Sequence, residues 1–251
     1  MQDIIGFLTR IPVRTATRLE EVAARAYLFP IAALFIGLLI ATTASVTFRF
    51  LASTPEIAAL LTLLAIYLVT GLIHLDGLAD FFDGMMAGGG RIEKLKAMKD
   101  VKIGIAGLFA VVFLLLLCLF AIDTVCITGG TGTFHKFTAV FVIAEVSAKL
   151  SMNTCILLGR RFNTGSGMGA LFIRATTMPK YIVAFISAVL ISLIVTSFSV
   201  RFFIMFSGIA VAFVIAYVAK RNFGMVTGDV IGASNELARC VALLIWATSS
   251  V

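Results

Sequence analysis

The sequence predicts an all-α fold: a polytopic integral membrane helical bundle of about seven transmembrane helices, in a single domain over residues 1–251. Hydrophobic residues make up 61% of the chain and charged residues only 13%, which is about half of the charged share of soluble domains. The mean hydropathy is +1.09. Apolar runs close to the roughly 20 residues that cross a bilayer as a helix recur along the chain. The lipid bilayer is therefore an expected partner.

The predicted elements follow in chain order. Residues 1–25 form a polar, basic N-terminal arm that is expected to be cytoplasmic. The predicted spans cover residues 26–48, 56–74, 103–122, 135–158, 181–199, 202–219 and 236–250. The second span leads into a cytoplasmic acidic helix and basic loop, residues 75–102. Glu145 and Lys149 lie four residues apart in the fourth span, so they are expected to pair inside the bundle.

Lysine and arginine are distributed unevenly between the loops. Sixteen of the 20 fall in the N-terminal arm, which includes Arg14, and in the segments after the second, fourth and sixth spans, which include Arg239. Because cytoplasmic loops carry the excess of positive charge, this asymmetry predicts a cytoplasmic N-terminus in the cell membrane, with the active site on the cytoplasmic side. The net charge of +7 has the same origin, so a nucleic-acid partner is not expected.

The stretch HLDGLADFFDGMMAGGG, residues 74–90, places three aspartates directly after an apolar span. At about 100° per residue, Asp76, Asp80 and Asp83 project within one narrow sector of a helix, and apolar residues cover the opposite side. Like charges on one face repel one another unless a cation lies between them. Mg²⁺ is typical of carboxylate sites that also bind phosphates. The three aspartates are therefore candidate metal ligands, although a transporter site would also use such a cluster.

Basic residues follow at once in GGGRIEKLKAMKDVKIG. Arg91, Lys99 and Lys102 are candidate catalytic residues, because cations beside a carboxylate–metal site stabilise a polyanionic substrate such as a pyrophosphate. Asp229, in MVTGDVIGASNEL, lies on the same predicted side. It is a candidate for a second set of metal ligands, and the alternative is the first-turn acid of a capped helix.

Two further features lie near these candidates. The glycine-rich loop RRFNTGSGMGALF, residues 160–172, could bind phosphates through backbone N–H groups, but it has no GK[ST] motif and a connecting loop is the simpler interpretation. His74 would point about 160° away from Asp76 on a continuous helix. That direction disfavours His74 as a metal ligand and favours a packed or interfacial histidine.

The blocks GLIHLDGLADFFDG, GGGR and MKDVKIGIAGLFAVV together resemble the signature of the cobalamin synthase family, the adenosylcobinamide-GDP ribazoletransferases. FLTRIPV, LFPIAALFIG and GDVIGASNEL are similar to that family too, so the resemblance extends from about residue 7 to about residue 245. It implies an integral membrane transferase that needs Mg²⁺. That enzyme joins adenosylcobinamide-GDP to α-ribazole, or its 5′-phosphate, and releases GMP.

The resemblance also implies roles for residues of this chain. Asp76, Asp80 and Asp83 match the aspartate motif of the family and would bind Mg²⁺, and Asp229 would complete the metal site. Asp80 or Asp83 would also accept the proton of the ribazole hydroxyl. The three basic residues named above would stabilise charge on the phosphates and on the leaving GMP.

Two other functions remain open on the sequence. A membrane enzyme like the CDP-alcohol phosphotransferases also binds divalent metals through aspartates on helices, but Asp80 stands where the pattern of that family has an arginine. A cation transporter or channel would use the aspartate cluster as a permeation site. The aspartates lie at the end of a span, however, and no inverted repeat is visible in the sequence. A homo-oligomer also remains open.

Overall fold

The computed structural model of the chain describes residues 1–12, 18–127, 134–162 and 165–249. These residues contain helices and no strands, which confirms the predicted fold class. The helices are α1 (Gln2–Leu8), α2 (Leu19–Ala24), α3 (Phe29–Phe50), α4 (Pro55–Thr70), α5 (Ile73–Met86), α6 (Arg91–Met98), α7 (Ile105–Ile127), α8 (Phe134–Gly159), α9 (Met168–Ala175), α10 (Met178–Thr196), α11 (Ser207–Asn222) and α12 (Gly228–Thr248). Short 3₁₀ helices precede α3 (Ala26–Leu28) and α11 (Val200–Phe206).

The part of the chain described above has 6 helices that are long and apolar enough to cross a membrane, namely α3, α7, α8, α10, α11 and α12, with the 3₁₀ turns that precede α3 and α11. A seventh span is counted if α4 and α5 are taken together, although the chain bends by 94° between them. Gly71 ends α4 with a φ of +71°, a left-handed conformation that glycine adopts without strain. The second span therefore ends at Thr70, before the predicted limit of residue 74.

Helix α8 lies at the centre of the bundle and packs against α3, α10, α11 and α12. Nearly all of its side chains are buried. The outer helices α7 and α10 instead expose large apolar side chains such as Phe109, Phe113 and Ile194, as expected for surfaces that face lipid. A glycine permits a close contact between α3 and α8, because a Cβ atom on Gly37 would lie 2.6 Å from the Cα atom of Val142. Small residues at helix crossings are typical of membrane bundles.

The predicted position of Arg239 among the cytoplasmic charges is wrong. Helix α12 extends from Gly228 to Thr248, and Arg239 lies near its middle, inside the bundle, where it is 1% exposed. The polar residues of the first half of α12 lowered the apolar character of that segment, and the predicted span therefore began too late. Arg14, which was counted on the same side, is outside the described residues.

Arg239 belongs to a buried ion cluster that comprises Glu145, Lys149, Glu236 and Arg239. Its Nε donates to Glu145 at 2.6 Å and its Nη1 donates to Glu236 at 2.7 Å. Lys149 Nζ donates to the other oxygen of Glu145 at 2.9 Å, which confirms the pair predicted inside the fourth span. Asn235 connects the two halves, since it accepts from Lys149 at 3.0 Å and donates to Glu236 at 2.9 Å. Two positive and two negative charges thus compensate one another between α8 and α12.

Candidate active site

Helix α5 carries the acidic face that the sequence predicts. It ends at Met86, just before the three glycines. Its apolar side is buried, and the ring of Phe81 meets the ring of Phe223 edge to face with 5.8 Å between the centroids. On the other side, Asp76 is exposed and Asp80 and Asp83 are half-buried. The helix packs against α6, α7 and α12, so its carboxylates lie where the first turns of α7 and α12 begin.

Glycines allow α5 to approach the start of α12. A Cβ atom on Gly77 would lie 3.0 Å from the Cα atom of Asp229, and one on Gly232 would lie 3.3 Å from the Cα atom of His74. Asp229 is in the first turn of α12, and the cap of this helix is Thr227. The hydroxyl of Thr227 lies 3.2 Å from Asp229 Oδ2. The structure therefore brings Asp229 beside the acidic helix, in the first turn of a capped helix.

Asp80 lies within the electric field of the other three candidate acids. Burial raises the pKa of Asp80, repulsion by Asp76, Asp229 and Asp83 raises it further, and the resulting pKa is about 7. Helix α5 leaves the direction of α4 at 94°, so we place Asp80 outside the spanning helices. The four carboxylates share one region of negative potential, and a cation placed there would relieve their repulsion.

Asp83 has a second contact that the sequence did not predict. Its Oδ2 accepts the backbone N–H of Gly104 at 2.7 Å, and its Oδ1 accepts that of Gly107 at 2.8 Å. These N–H groups belong to the start of α7, where a helix has no backbone partners of its own. A Cβ atom on Gly107 would lie 2.5 Å from Asp83 Oδ2, so this contact needs glycine. Because both oxygens of Asp83 are engaged, Asp80 is better placed than Asp83 to accept a proton.

The Asp83→Ala variant is expected to lower the free energy of unfolding by about 1–2 kcal/mol, as the loss of a helix cap does. The Asp76→Ala variant is the matched control, because Asp76 is exposed on the same helix and its removal is not expected to lower stability. Thermal unfolding in detergent micelles measures both. An Asp83→Ala variant as stable as the wild type would contradict the capping role.

A cavity of about 510 Å³ lies beside the first turn of α12. One part of its wall is apolar and one part is polar. The apolar part includes Phe7, Phe29, Met152, Ile156, Phe172 and Ile231. The polar part includes Lys99, Thr227, Asp229 and the loop residues 165–167. The glycine-rich loop is therefore part of the site, although its residues 163–164 are outside the described residues.

The three candidate basic residues do not lie together. Lys99 lines the cavity beside Asp229. The guanidinium of Arg91 packs over the backbone after α11, where a Cβ atom on Gly224 would lie 3.4 Å from its Nη1. Lys102 is exposed after α6. The structure thus places one of the three, Lys99, directly at the cavity.

His74 also lines the cavity. The sequence disfavours His74 as a metal ligand and favours a packed histidine, and the packed position is confirmed, because the residue is 6% exposed. Its Nδ1, however, is buried without a hydrogen-bond partner among the described residues. Sequence reasoning missed this feature. The only signal was the position of His74 on the side of α5 opposite to Asp76.

Comparison with known proteins identifies the family. The family model described as cobalamin-5-phosphate synthase matches residues 2–247. The chain belongs to the cobalamin-5-phosphate synthase family. An adenosylcobinamide-GDP ribazoletransferase of Methanococcoides burtonii is 36% identical over 98% of this chain and 90% of its own length. Proteins of the same name from Thermococcus onnurineus and Methanocella arvoryzae are 35% and 37% identical, over 98% and 97% of this chain and 97% and 93% of their own lengths. No solved structure matches the chain.

Membership of the cobalamin-5-phosphate synthase family confirms the resemblance and makes the protein a transferase of cobalamin biosynthesis. The family assignment favours this function over the transporter and the CDP-alcohol phosphotransferase that the sequence left open. The acidic face of α5 and the cavity beside α12 are accordingly the candidate active site of a membrane transferase.

The predicted metal site fits Mg²⁺ only with help from a substrate. Within residues 1–12, 18–127, 134–162 and 165–249, no group of three or more His, Cys, Asp or Glu side chains is arranged to hold a metal ion. Mg²⁺ usually takes one or two carboxylates and fills its remaining positions with water and phosphate oxygens. Asp80 and its neighbours Asp76 and Asp229 offer such a donor set, since all are carboxylates in one negative region. These three carboxylates therefore suit a Mg²⁺ ion that enters the site together with a pyrophosphate substrate.

Proposed function

We propose that the protein joins adenosylcobinamide-GDP to α-ribazole, or to its 5′-phosphate, gives adenosylcobalamin or its 5′-phosphate, and releases GMP in a Mg²⁺-dependent reaction. The relatives bear the name of this activity. The observation that carries the proposal is the approach of Asp229 to the acidic face of α5 beside a cavity that Lys99 also lines. Carboxylates, a lysine and a cavity in one place suit the attack of an alcohol on a pyrophosphate.

The chemistry of the transfer assigns roles to the residues of this site. A ribose hydroxyl of α-ribazole forms a bond to the phosphorus that carries the cobinamide, and the bond from this phosphorus to the bridging oxygen of GMP breaks. Asp80 accepts the proton of the hydroxyl. Lys99 stabilises negative charge on the leaving GMP. Mg²⁺, when bound by Asp76, Asp80 and Asp229, would neutralise charge on the pyrophosphate.

The active site of this reaction belongs on the cytoplasmic face of the cell membrane. The starts of α7 and α12 and the whole of α6 lie beside α5, so they share one face of the bundle. This face carries Arg91, Lys99 and Lys102 and keeps the excess of positive charge even when Arg239 is counted inside the bundle. Positive charge marks the cytoplasmic side of membrane proteins. A polar nucleotide substrate would reach the carboxylates from there.

Purified protein in nanodiscs is expected to release GMP and form the cobalamin product only when both substrates and Mg²⁺ are present. EDTA is expected to abolish the reaction, because the carboxylates lose the ion that neutralises the pyrophosphate, and excess Mg²⁺ is expected to restore it. Chromatography measures GMP and the corrinoid product together. GMP without a corrinoid product would indicate hydrolysis, and unchanged turnover in EDTA would contradict the need for Mg²⁺.

A further inference from the structure

The apolar part of the cavity is formed by three aromatic rings from different helices. Phe7 of α1, Phe29 at the start of α3 and Phe172 of α9 all line it. The ring centroids of Phe7 and Phe172 lie 5.2 Å apart, and those of Phe29 and Phe172 lie 6.0 Å apart. Phe7 is partly exposed, whereas Phe29 is 0% and Phe172 is 4% exposed, so Phe7 and a small part of Phe172 offer ring surface to a further flat ring, and Phe29 supports them from behind. This part of the cavity therefore suits a planar aromatic group.

One buried polar atom at this cavity lacks a partner. His74 lines the wall and its Nδ1 has no hydrogen bond within the described residues. A buried nitrogen without a partner is unfavourable, so a ligand that supplies one hydrogen bond would satisfy it. The other polar side chains of the wall are those of Lys99, Ser166, Thr227 and Asp229. They lie at the start of α12, on the segment after α6 or on the loop before α9, at the polar part of the cavity.

The volume of the cavity matches the size of only one of the two substrates of the proposed reaction. About 510 Å³ falls within the roughly 300–1,000 Å³ of pockets that enclose one drug-sized molecule. A nucleoside such as α-ribazole is of this size. The corrinoid macrocycle with its side chains, adenosyl group and GDP is several times larger than a nucleoside. The corrinoid therefore requires the open surface beside the acidic helix.

The two bases that could enter the cavity, the dimethylbenzimidazole of α-ribazole and the guanine of GDP, differ in the number of their polar groups. Guanine has five polar groups on its edges (N1–H, the N2 amino group, N3, O6 and N7), and burial of such groups without partners lowers affinity. The dimethylbenzimidazole of α-ribazole is apolar except for one free ring nitrogen, which accepts one hydrogen bond. The three phenylalanines with a single unpartnered histidine nitrogen match this second pattern.

We infer that this cavity binds α-ribazole, with its base against Phe7 and Phe172, its ribose at the polar part near Lys99 and Asp229, and its free ring nitrogen accepting a hydrogen bond from the Nδ1–H tautomer of His74. The inference rests on the proposed function, since α-ribazole is the acceptor of that reaction. It places the attacking hydroxyl between the cavity and the carboxylates of α5.

The first test fills the cavity without disturbing the bundle core. Met168 lines the cavity and is 39% exposed, so the Met168→Trp variant has room to fold. We expect the KM for α-ribazole to rise at least tenfold, while the KM for adenosylcobinamide-GDP changes less than twofold. Met178→Trp is the matched control, because Met178 is 56% exposed at the start of α10 and does not line the cavity. This control should leave both KM values unchanged.

The second test addresses the hydrogen bond of His74. The substrate analogue is a riboside in which C–H replaces the free ring nitrogen. With wild-type protein, its KM should exceed that of α-ribazole by about 3- to 10-fold, the factor that one hydrogen bond supplies. The His74→Phe variant keeps an aromatic ring but has no nitrogen, so it should not distinguish the two ribosides. A purely structural role of His74 would leave the discrimination intact.

The outcomes separate this inference from the proposed function. A rise in the KM for adenosylcobinamide-GDP alone would assign the cavity to the corrinoid nucleotide and overturn the inference. Unchanged KM values for Met168→Trp, with normal GMP release, would overturn it while the proposed function stands. Absence of GMP release by folded wild-type protein would contradict the proposed function. In that case, equilibrium dialysis with labelled α-ribazole tests the inference without turnover. Weaker binding by Met168→Trp than by wild type would support the inference, and equal binding by the two would overturn it.

Discussion

The Asp80→Asn variant is expected to lower kcat by about 10²–10³-fold, because it removes a carboxylate that binds Mg²⁺ and accepts the proton of the attacking hydroxyl. A metal ion supplies several kcal/mol of transition-state stabilisation, and each 1.36 kcal/mol corresponds to about tenfold in rate. GMP release at saturating concentrations of both substrates measures this effect. The amide keeps the size of the side chain, so the fold should be retained.

The matched control for this experiment is Asp123→Asn. Asp123 lies on α7 near the end opposite to Gly107, far along the helix from the acidic face of α5. Its replacement should leave kcat within about twofold of the wild type, as expected of a residue outside the site. Equal turnover of Asp80→Asn and Asp123→Asn would contradict the role of Asp80. Thermal unfolding of both variants excludes a loss of structure as the cause.

The Arg239→Met variant is expected to lower the free energy of unfolding by about 3–5 kcal/mol, the effect of removing one partner from a buried ion pair. Arg239 donates to Glu145 at 2.6 Å and to Glu236 at 2.7 Å, so both carboxylates would lose a partner inside the bundle. Tyr67 O–H donates to Glu236 at 3.0 Å and would compensate only in part. Unfolding by SDS in mixed micelles measures this free energy.

Two variants control for the loss of charge itself. Arg49→Met removes an exposed arginine near the end of α3 and should change stability by less than about 0.5 kcal/mol. The double variant Glu145→Gln with Lys149→Met removes one negative and one positive charge and leaves Arg239 paired with Glu236. It should therefore be more stable than Arg239→Met. An Arg239→Met variant as stable as Arg49→Met would contradict the importance of the cluster.

The parts of the fold that depend on local pattern were predictable from the sequence. Apolar runs of about 20 residues gave the spans, and the spacing of Asp76, Asp80 and Asp83 with glycines 88–90 gave the acidic helix and its end. Glu145 and Lys149 were predictable as a pair because helical neighbours four residues apart face each other. All of these features depend on residues close together in the chain.

The parts that depend on contacts between distant segments were not predictable. Asp83 binds backbone groups of residues 104 and 107, and only the spacing of the two glycines at the start of α7 hinted at a close approach. Arg239 was counted with the cytoplasmic charges, because its partner Glu145 lies on another helix and the pairing is not visible in the sequence. The sharp bend after Thr70 depends on Gly71 at positive φ, and a glycine after an apolar run does not by itself determine such an angle.

The candidate site likewise has residues that were predictable from the sequence and a feature that was not. The sequence identified Asp229 and Lys99, since acids and bases near a predicted membrane surface stand out. It did not identify the cavity between them, because Phe7, Phe29 and Phe172 are unremarkable in a chain with 22 phenylalanines. Only the packing of α1, α3 and α9 shows that these three rings line one space.

The four charges of the buried ion cluster also affect how this cluster responds to the voltage across the membrane. Moving one elementary charge through 100 mV is worth about 2.3 kcal/mol. Glu145, Lys149, Glu236 and Arg239 sum to zero, so shifting the cluster as a unit along the field requires no net electrical work. The position of this cluster inside the bundle is therefore not favoured or disfavoured by the membrane potential.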